Sequence, residues 1–133
     1  MNLTWRRSGN PPLQSDIHAV CRDTAAGCRV ELSGRITIDS TPGLQALLLK
    51  RLDSQDCKAL TLDLYEVPYI DTAGLAMLME LLRAARLRGK QFGLSGVREK
   101  PRFLLEAARL LNFFPELDPD GRPGGESPYG GVA

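Results

Sequence analysis

One segment near the middle of the chain joins a strand pattern directly to a helix pattern, and it constrains the fold more than any other. Leu60, Leu62 and Leu64 alternate with polar residues, which is typical of a strand with one buried face. A short loop beginning near Glu66 is expected next, followed by an apolar helix from about Thr72 to Arg88. A strand that leads into a buried helix predicts a sheet with helices packed against it.

The residues before this segment predict a hairpin and a first helix. Two alternating stretches, 17–22 and 28–32, flank the turn residues Ala25-Ala26-Gly27, which is a hairpin pattern. Thr41 is expected to cap the first helix, with Pro42 at its first position, where a missing N–H costs nothing. Four leucines then recur at helical spacing and should form its buried face: Leu44, Leu47, Leu48 and Leu52.

The residues after this segment predict a further strand and a third helix. Positions 91–96 form the strand, and the helix is expected to start near Lys100 and Pro101. Its inward residues should be Phe103, Ala107, Leu110 and Leu111, with Phe113, Phe114 and Leu117 closing the edge of the core. The whole pattern predicts an α/β fold with a mixed sheet of four to five strands packed with α-helices.

Length and composition indicate one domain with two tails. At 133 residues the chain can bury one core. Residues 1–14 are expected to be a flexible leader, residues 15–117 the domain, and residues 118–133 a disordered tail. The tail holds five glycines and three prolines and almost no large apolar side chains, so it cannot offset the entropy lost on ordering.

Charge and cysteine content exclude several classes of function. Seventeen basic and sixteen acidic residues leave a formal net charge of +1, which argues against direct nucleic-acid binding. No apolar run of about 18 residues is present, so no membrane insertion is expected. The cysteines Cys21, Cys28 and Cys57 lack metal-ligand spacing and indicate reduced thiols in a cytoplasmic protein. Cys21 and Cys28 should pack inward, and Cys57 should be more exposed.

The start of the second helix holds the candidate functional residues. Asp71 and Thr72 place a carboxylate and a hydroxyl at a helix N-terminus, where unpaired N–H groups and the positive dipole end favour an added phosphate. Two interpretations of Thr72 remain open: a phosphoacceptor, or only a helix cap. Gly74 leaves the first turn without a side chain, which would let another backbone approach. Asp63, at the end of the preceding strand, is expected to bond nearby loop N–H groups.

The segment from 58 to 112 resembles STAS domains, the family that includes the bacterial anti-sigma factor antagonists. The resemblance is carried by the following stretches: Leu60-Thr-Leu-Asp63-Leu, Tyr69-Ile-Asp71-Thr72-Ala-Gly74-Leu75, Leu81-Leu82 with Ala85 and Gly89, and Phe92-Gly-Leu-Ser-Gly96-Val97. Leu32-Ser-Gly34 fits the second strand of the family. The resemblance implies a small STAS-like sheet flanked by helices over roughly residues 15 to 115.

The resemblance also implies a function. The unphosphorylated protein would bind a kinase-type anti-sigma factor and so free a sigma factor for transcription. That serine/threonine kinase would phosphorylate Thr72 and release the protein, and a phosphatase would reset it. The expected partner-binding residues are Asp71, Thr72, Ala73, Gly74, Leu75 and Asp63. The chain would be a substrate and binding module, not an enzyme, with no catalytic residue, metal or cofactor.

Other functions stay open. The protein could be the cytosolic STAS subunit of a lipid-transport ABC complex that docks on its ATPase, because Asp71-Thr72-Ala-Gly-Leu75-Ala-Met-Leu is close to the form such subunits carry. Thr72 would then belong to a contact rather than a switch. A scaffold protein of the same fold is a third interpretation. Enzymatic hydrolysis is the weakest, because it would need His18 to lie beside Thr72 or Cys57.

Overall fold

A computed structural model describes residues 17–25 and 27–114. Within that part, four strands form one sheet in the order β1-β2-β3-β4, with bounds β1 Ile17–Thr24, β2 Gly27–Ile36, β3 Ala59–Ile70 and β4 Gln91–Ser95. Three α-helices and one 3₁₀ turn accompany the sheet: α1 Thr41–Asp53, α2 Thr72–Leu87, α3 Glu99–Ala107 and the 3₁₀ turn Leu111–Phe113. The expected mixed α/β sheet packed with helices is confirmed.

The sheet combines an antiparallel hairpin with parallel strands. β1 and β2 are antiparallel, with Thr24 opposite Gly27, which confirms the predicted hairpin. β2, β3 and β4 run parallel and are joined through α1 and α2, as the βαβ arrangement requires. The predicted leader and tail lie outside the described residues, as does Leu117.

The core lies between one face of the sheet and the helices α1 and α2. The predicted leucines of α1 are all buried, as are Leu60, Leu62 and Leu64 of β3. Burial of one such side chain stabilises the fold by about 1.5–3 kcal/mol. α2 ends at Leu87 with Arg88 as its C-cap, and Gly89 follows as expected, with a φ of +68° that lets the chain turn out of the helix.

β3 is longer than predicted. It continues through Pro68 to Ile70, so the loop expected from Glu66 is wrong. Where β2 pairs with β3, the register shifts at two successive places. At each place a step of two residues along β2 corresponds to a step of three residues along β3, which is a β-bulge in β3. A bulge breaks the alternation of buried and exposed residues, and Pro68 lacks an N–H for the ladder. Because of both features, the sequence of this stretch resembles that of a loop, although the strand continues.

The beginning of α1 differs from the prediction by one residue. Ser40 is the N-cap residue, and Thr41, predicted to be the cap, is the first helical residue. The Ser40 hydroxyl accepts a hydrogen bond from Thr37 N at 2.9 Å and donates to Arg35 O at 3.1 Å. Ser40 therefore holds the turn that connects β2 to α1.

The predicted inward face of α3 is partly wrong. Phe103 is 71% exposed and Ala107 is exposed, whereas Pro101 and Leu105 are buried. The helix has only nine residues and starts one position earlier than expected, at Glu99. Its single buried stripe therefore falls on positions 101 and 105.

The residues that follow α3 close the core only in part. Leu110 and Leu111 are half-buried. Phe114 is buried, with its ring 5.9 Å from that of Phe92 in an edge-to-face contact. Phe113 is 48% exposed, so of these two rings only Phe114 completes the edge of the core.

The prediction for Cys57 is wrong as well. Its side chain is completely buried, because the turn before β3 folds it inward, and Cys21 and Cys28 are buried as expected. The Cys57 thiol lies 3.6 Å from Ala59 O and donates to it. Burial raises the pKa of Cys57 to about 12, with a hydrogen bond to Cys28 as the second cause.

Candidate functional site

A single residue, Asp71, separates β3 from α2, and its carboxylate holds the junction. Gly74 N donates to Asp71 Oδ1 at 2.9 Å, which caps the helix. Ile38 N donates to Asp71 Oδ2 at 3.0 Å, and Asp71 N donates to Ile36 O at 3.1 Å. Asp71 therefore ties the start of α2 to the end of β2 and the turn that follows it.

Thr72 is the first residue of α2, and its side chain is exposed. Its hydroxyl makes no hydrogen bond within residues 17–25 and 27–114, because Asp71 already provides the side-chain cap. The first turn of α2 contains no acidic residue. An exposed hydroxyl thus lies at the positive end of a 16-residue helix, next to backbone N–H groups without helical partners.

The next three residues turn progressively into the core. Ala73 is half-buried, whereas Gly74 and Leu75 are buried. A Cβ atom on Gly74 would lie 2.4 Å from Ile70 Cγ1 and 3.0 Å from Ile36 Cγ2. The space left by the missing side chain is therefore filled by the protein's own isoleucines, not left open for a partner's backbone as expected. The surface of this segment is formed by Thr72 together with parts of Asp71 and Ala73.

The Asp63 carboxylate is bound by groups of the fold itself. Its Oδ2 lies 2.6 Å from Arg29 Nη2, and its Oδ1 accepts from Tyr65 N at 2.9 Å, as the sequence suggested for a nearby N–H. The positions of β2 opposite Asp63 and Ile70 are Glu31 and Ile36, five residues or about 16 Å apart. The structure therefore does not bring Asp63 together with Thr72.

An apolar groove at the end of β3 was missed by the sequence analysis. It has a volume of about 350 Å³ and is lined by the end of β3 and one side of α3: Tyr69, Ile70, Glu99, Lys100, Phe103 and Leu104. The Arg35 guanidinium lies 4.6 Å from the centre of the Tyr69 ring. No periodicity in the sequence could have indicated the groove, because its two walls come from elements about 30 residues apart.

No group of three or more His, Cys, Asp or Glu side chains within the described residues could hold a metal ion. The longest helix in the described residues is α2, with 16 residues. No helix in the described residues is both long and apolar enough to cross a membrane.

Comparison with known proteins identifies the family. A family model described as "Mlab, STAS domain" matches residues 20–115. The chain belongs to the STAS domain family. The matched residues of this STAS domain include all of the Asp71–Leu75 segment and all three α-helices.

Solved structures share the fold of this STAS domain. An anti-sigma factor antagonist from Mycobacterium paratuberculosis superposes with a TM-score of 0.68 at 23% identity, over 78% of this chain and 88% of that one. SpoIIAA, an anti-sigma factor antagonist, in its unphosphorylated form gives 0.65 at 9% identity, over 76% and 89% of the two chains. The Bacillus cell fate determinant SpoIIAA in its phosphorylated form gives 0.60 at 9%, over 76% and 92%. These likenesses confirm the predicted STAS-like architecture.

Proposed function

We propose that this STAS domain is a cytoplasmic anti-sigma factor antagonist. In its unphosphorylated form it binds a kinase-type anti-sigma factor, and phosphorylation of Thr72 releases it, which regulates transcription. The observation that carries the proposal is the exposed Thr72 hydroxyl at the N-terminus of α2, beside a cap that Asp71 already supplies. The domain acts as substrate and binding module, not as an enzyme.

Phosphorylation would change the charge of this surface without removing a contact of the fold. The Thr72 oxygen forms a bond to the γ-phosphorus of ATP, the bond to the β–γ bridging oxygen breaks, ADP leaves with the electron pair, and the hydroxyl proton is lost. The product adds about −1.5 to −2 charges beside Asp71. The dipole of α2 partly offsets the repulsion within the domain, whereas a docked partner meets new bulk and charge. A phosphatase restores the hydroxyl by hydrolysis.

The comparisons support the proposal at the level of the fold. The structures that share it include anti-sigma factor antagonists, and one of them, SpoIIAA, has been solved in both an unphosphorylated and a phosphorylated form. In this chain the residue that could undergo the same change is Thr72, because its side chain is exposed and Asp71 holds the helix start independently of it.

The test is an affinity pull-down from a lysate of the source organism, with wild type and Thr72→Glu as baits, followed by identification of the bound proteins. Gln55→Glu adds the same charge at an exposed position in the turn after α1 and is the matched control. We expect wild type and Gln55→Glu to capture a kinase-like anti-sigma factor that Thr72→Glu does not. Incubation of that kinase with ATP should add one phosphate to wild type and none to Thr72→Ala.

Two outcomes would contradict the proposal. Equal binding of the anti-sigma factor by wild type and Thr72→Glu would exclude the switch. Capture of an ABC transporter ATPase instead would favour the transporter-subunit function, in which Thr72 belongs to a permanent contact.

A further inference from the structure

The groove between the end of β3 and α3 is an apolar surface that the fold itself does not use. Most of its lining is apolar, from Tyr69, Ile70, Phe103 and Leu104. Phe103 is 71% exposed and Tyr69 is 38% exposed. Two large rings that face one open groove differ from an isolated exposed side chain, which is common on any protein surface. Such a surface is typical of an interaction site.

One lining residue of the groove is close in the chain to the proposed switch residue. Ile70 lines the groove and is followed directly by Asp71 and Thr72. A partner segment that contacts both Thr72 and the groove therefore spans the end of β3 and the start of α2. The buried side of the junction is rigid, because Gly74 packs on Ile70 and Asp71 bonds to Ile38 N.

The charges around the groove indicate the chemistry of its occupant. Lys100 lines it, and Arg35 lies over the ring of Tyr69. Glu99 is the acidic residue in the lining. Two cations, Lys100 and Arg35, thus lie at the groove with one acid, which favours a partner segment with acidic residues around its apolar anchor.

We propose that this groove seats an apolar side chain of the kinase-type anti-sigma factor, carried on a segment with flanking acidic residues. The inference rests on the proposed function and divides the interface into two parts. The Thr72 part is switched by phosphorylation. The groove part contributes affinity in both states and selects the partner by an apolar anchor in a cationic rim.

The experiment uses the full chain and the recombinant anti-sigma factor that wild type captures. Phe103→Ser removes the exposed ring and should raise the Kd for the anti-sigma factor about tenfold or more, as truncation of an interface anchor does. Leu87→Ser is the matched control, because Leu87 is 77% exposed at the other end of α2, about 22 Å from Thr72 along the helix axis. Its affinity should equal that of wild type. Equal thermal unfolding of both variants and wild type shows that each is folded.

A second pair of variants tests the charge of the rim. Lys100→Glu should weaken binding and Glu99→Lys should tighten it, each about threefold or more at low salt and less at high salt. Because the two residues are adjacent and both exposed, a non-specific effect of substitution would not change sign between them.

The outcomes separate this inference from the proposed function. If Phe103→Ser binds as tightly as wild type while Thr72→Glu does not bind, the groove is not part of the interface and the switch stands. If Leu87→Ser weakens binding as much as Phe103→Ser, the groove has no special role and the inference fails. If Thr72→Glu binds like wild type, the proposed function fails and the inference with it. Equal affinities of Lys100→Glu and Glu99→Lys would refute an acidic partner segment.

Discussion

At the start of α2, Asp71 and Thr72 divide two tasks between neighbouring residues. Asp71 accepts hydrogen bonds from Gly74 N and Ile38 N, and Thr72 presents its hydroxyl to solvent. We expect Asp71→Ala to lower the free energy of unfolding by about 1–2 kcal/mol, because it removes a cap and a link to the β2–α1 turn. Thr72→Ala should change it by less than about 0.5 kcal/mol. Urea unfolding measures both, and a similar cost for both variants would refute this division.

The single residue Gly74 shows how tightly the helix start packs on the sheet. Gly74→Ala should destabilise the protein by about 1–3 kcal/mol despite the better helix propensity of alanine, because its Cβ would overlap Ile70 Cγ1. In an Ile70→Ala background the same substitution should cost much less, which a double-mutant cycle in urea detects.

Gly89→Ala is the control for that cycle. Gly89 has a φ of +68°, and no atom lies within 4 Å of the place that a Cβ atom would occupy, so only backbone strain opposes the substitution. Its cost, about 1 kcal/mol, should be the same with Ile70 or Ala at position 70. A Gly74→Ala cost that is likewise independent of position 70 would exclude the steric explanation.

At the scale of elements, β2 and β3 are joined by a largely buried ion pair. The side chains of Arg29 and Asp63 are 10% and 17% exposed and lie 2.6 Å apart. Asp63→Ala should cost about 3 kcal/mol or more, because it leaves the Arg29 charge without its closest partner and also removes the bond from Tyr65 N. The double variant Arg29→Met with Asp63→Ala should be more stable than Asp63→Ala alone. The free energies of unfolding of wild type and the two variants measure the difference.

The ion pair between Arg88 and Asp53 is a more exposed pair with which the buried pair of Arg29 and Asp63 can be compared. Its side chains are 33% and 63% exposed. Asp53→Asn should cost no more than about 1 kcal/mol, because solvent screens the pair. If it costs as much as Asp63→Ala, burial does not explain the strength of the β2–β3 link.

At the scale of the whole molecule, three elements bring buried thiols to one side of the core. Burial raises the pKa of Cys57 to about 12 and that of Cys21 above its usual value of 9.0, and Arg51 lies 3.2 Å from the Cys28 thiol. The folded protein therefore keeps a proton on Cys57 at pH values where the unfolded chain has lost it. The stability contributed by this proton is complete below about pH 9 and is lost as the pH rises towards 12.

Unfolding at two pH values tests this linkage. Between about pH 8 and pH 11, the urea midpoint of wild type should fall more than that of Cys57→Ala, which has no thiol to titrate at this position. The comparison removes the contribution of lysines and tyrosines, because these residues titrate in both proteins. Equal falls in the two proteins would mean that Cys57 ionises alike in the folded and unfolded states.

Elements whose signal is local could be predicted from the sequence. The hairpin follows from two alternating stretches around a turn, and the buried face of α1 follows from four leucines at helical spacing. The position of Thr72 at the start of α2 follows from an apolar helix preceded by Asp71. These features depend on residues close together in the chain, which is why periodicity and capping preferences suffice for them.

Other features were decided only by tertiary structure. The bulges that extend β3 to Ile70 arise from its pairing with β2, and the burial of Cys57 arises from the turn that folds over the core. The exposure of Phe103 depends on which side of α3 meets the sheet, and the apolar groove exists only where β3 and α3 meet. The sequence alone determined the hairpin, the buried face of α1 and the place of Thr72 at the start of α2. Contacts between residues distant in the chain decided what surrounds the Thr72 hydroxyl, because packing and hydrogen bonds between distant residues cannot be read from a local sequence pattern.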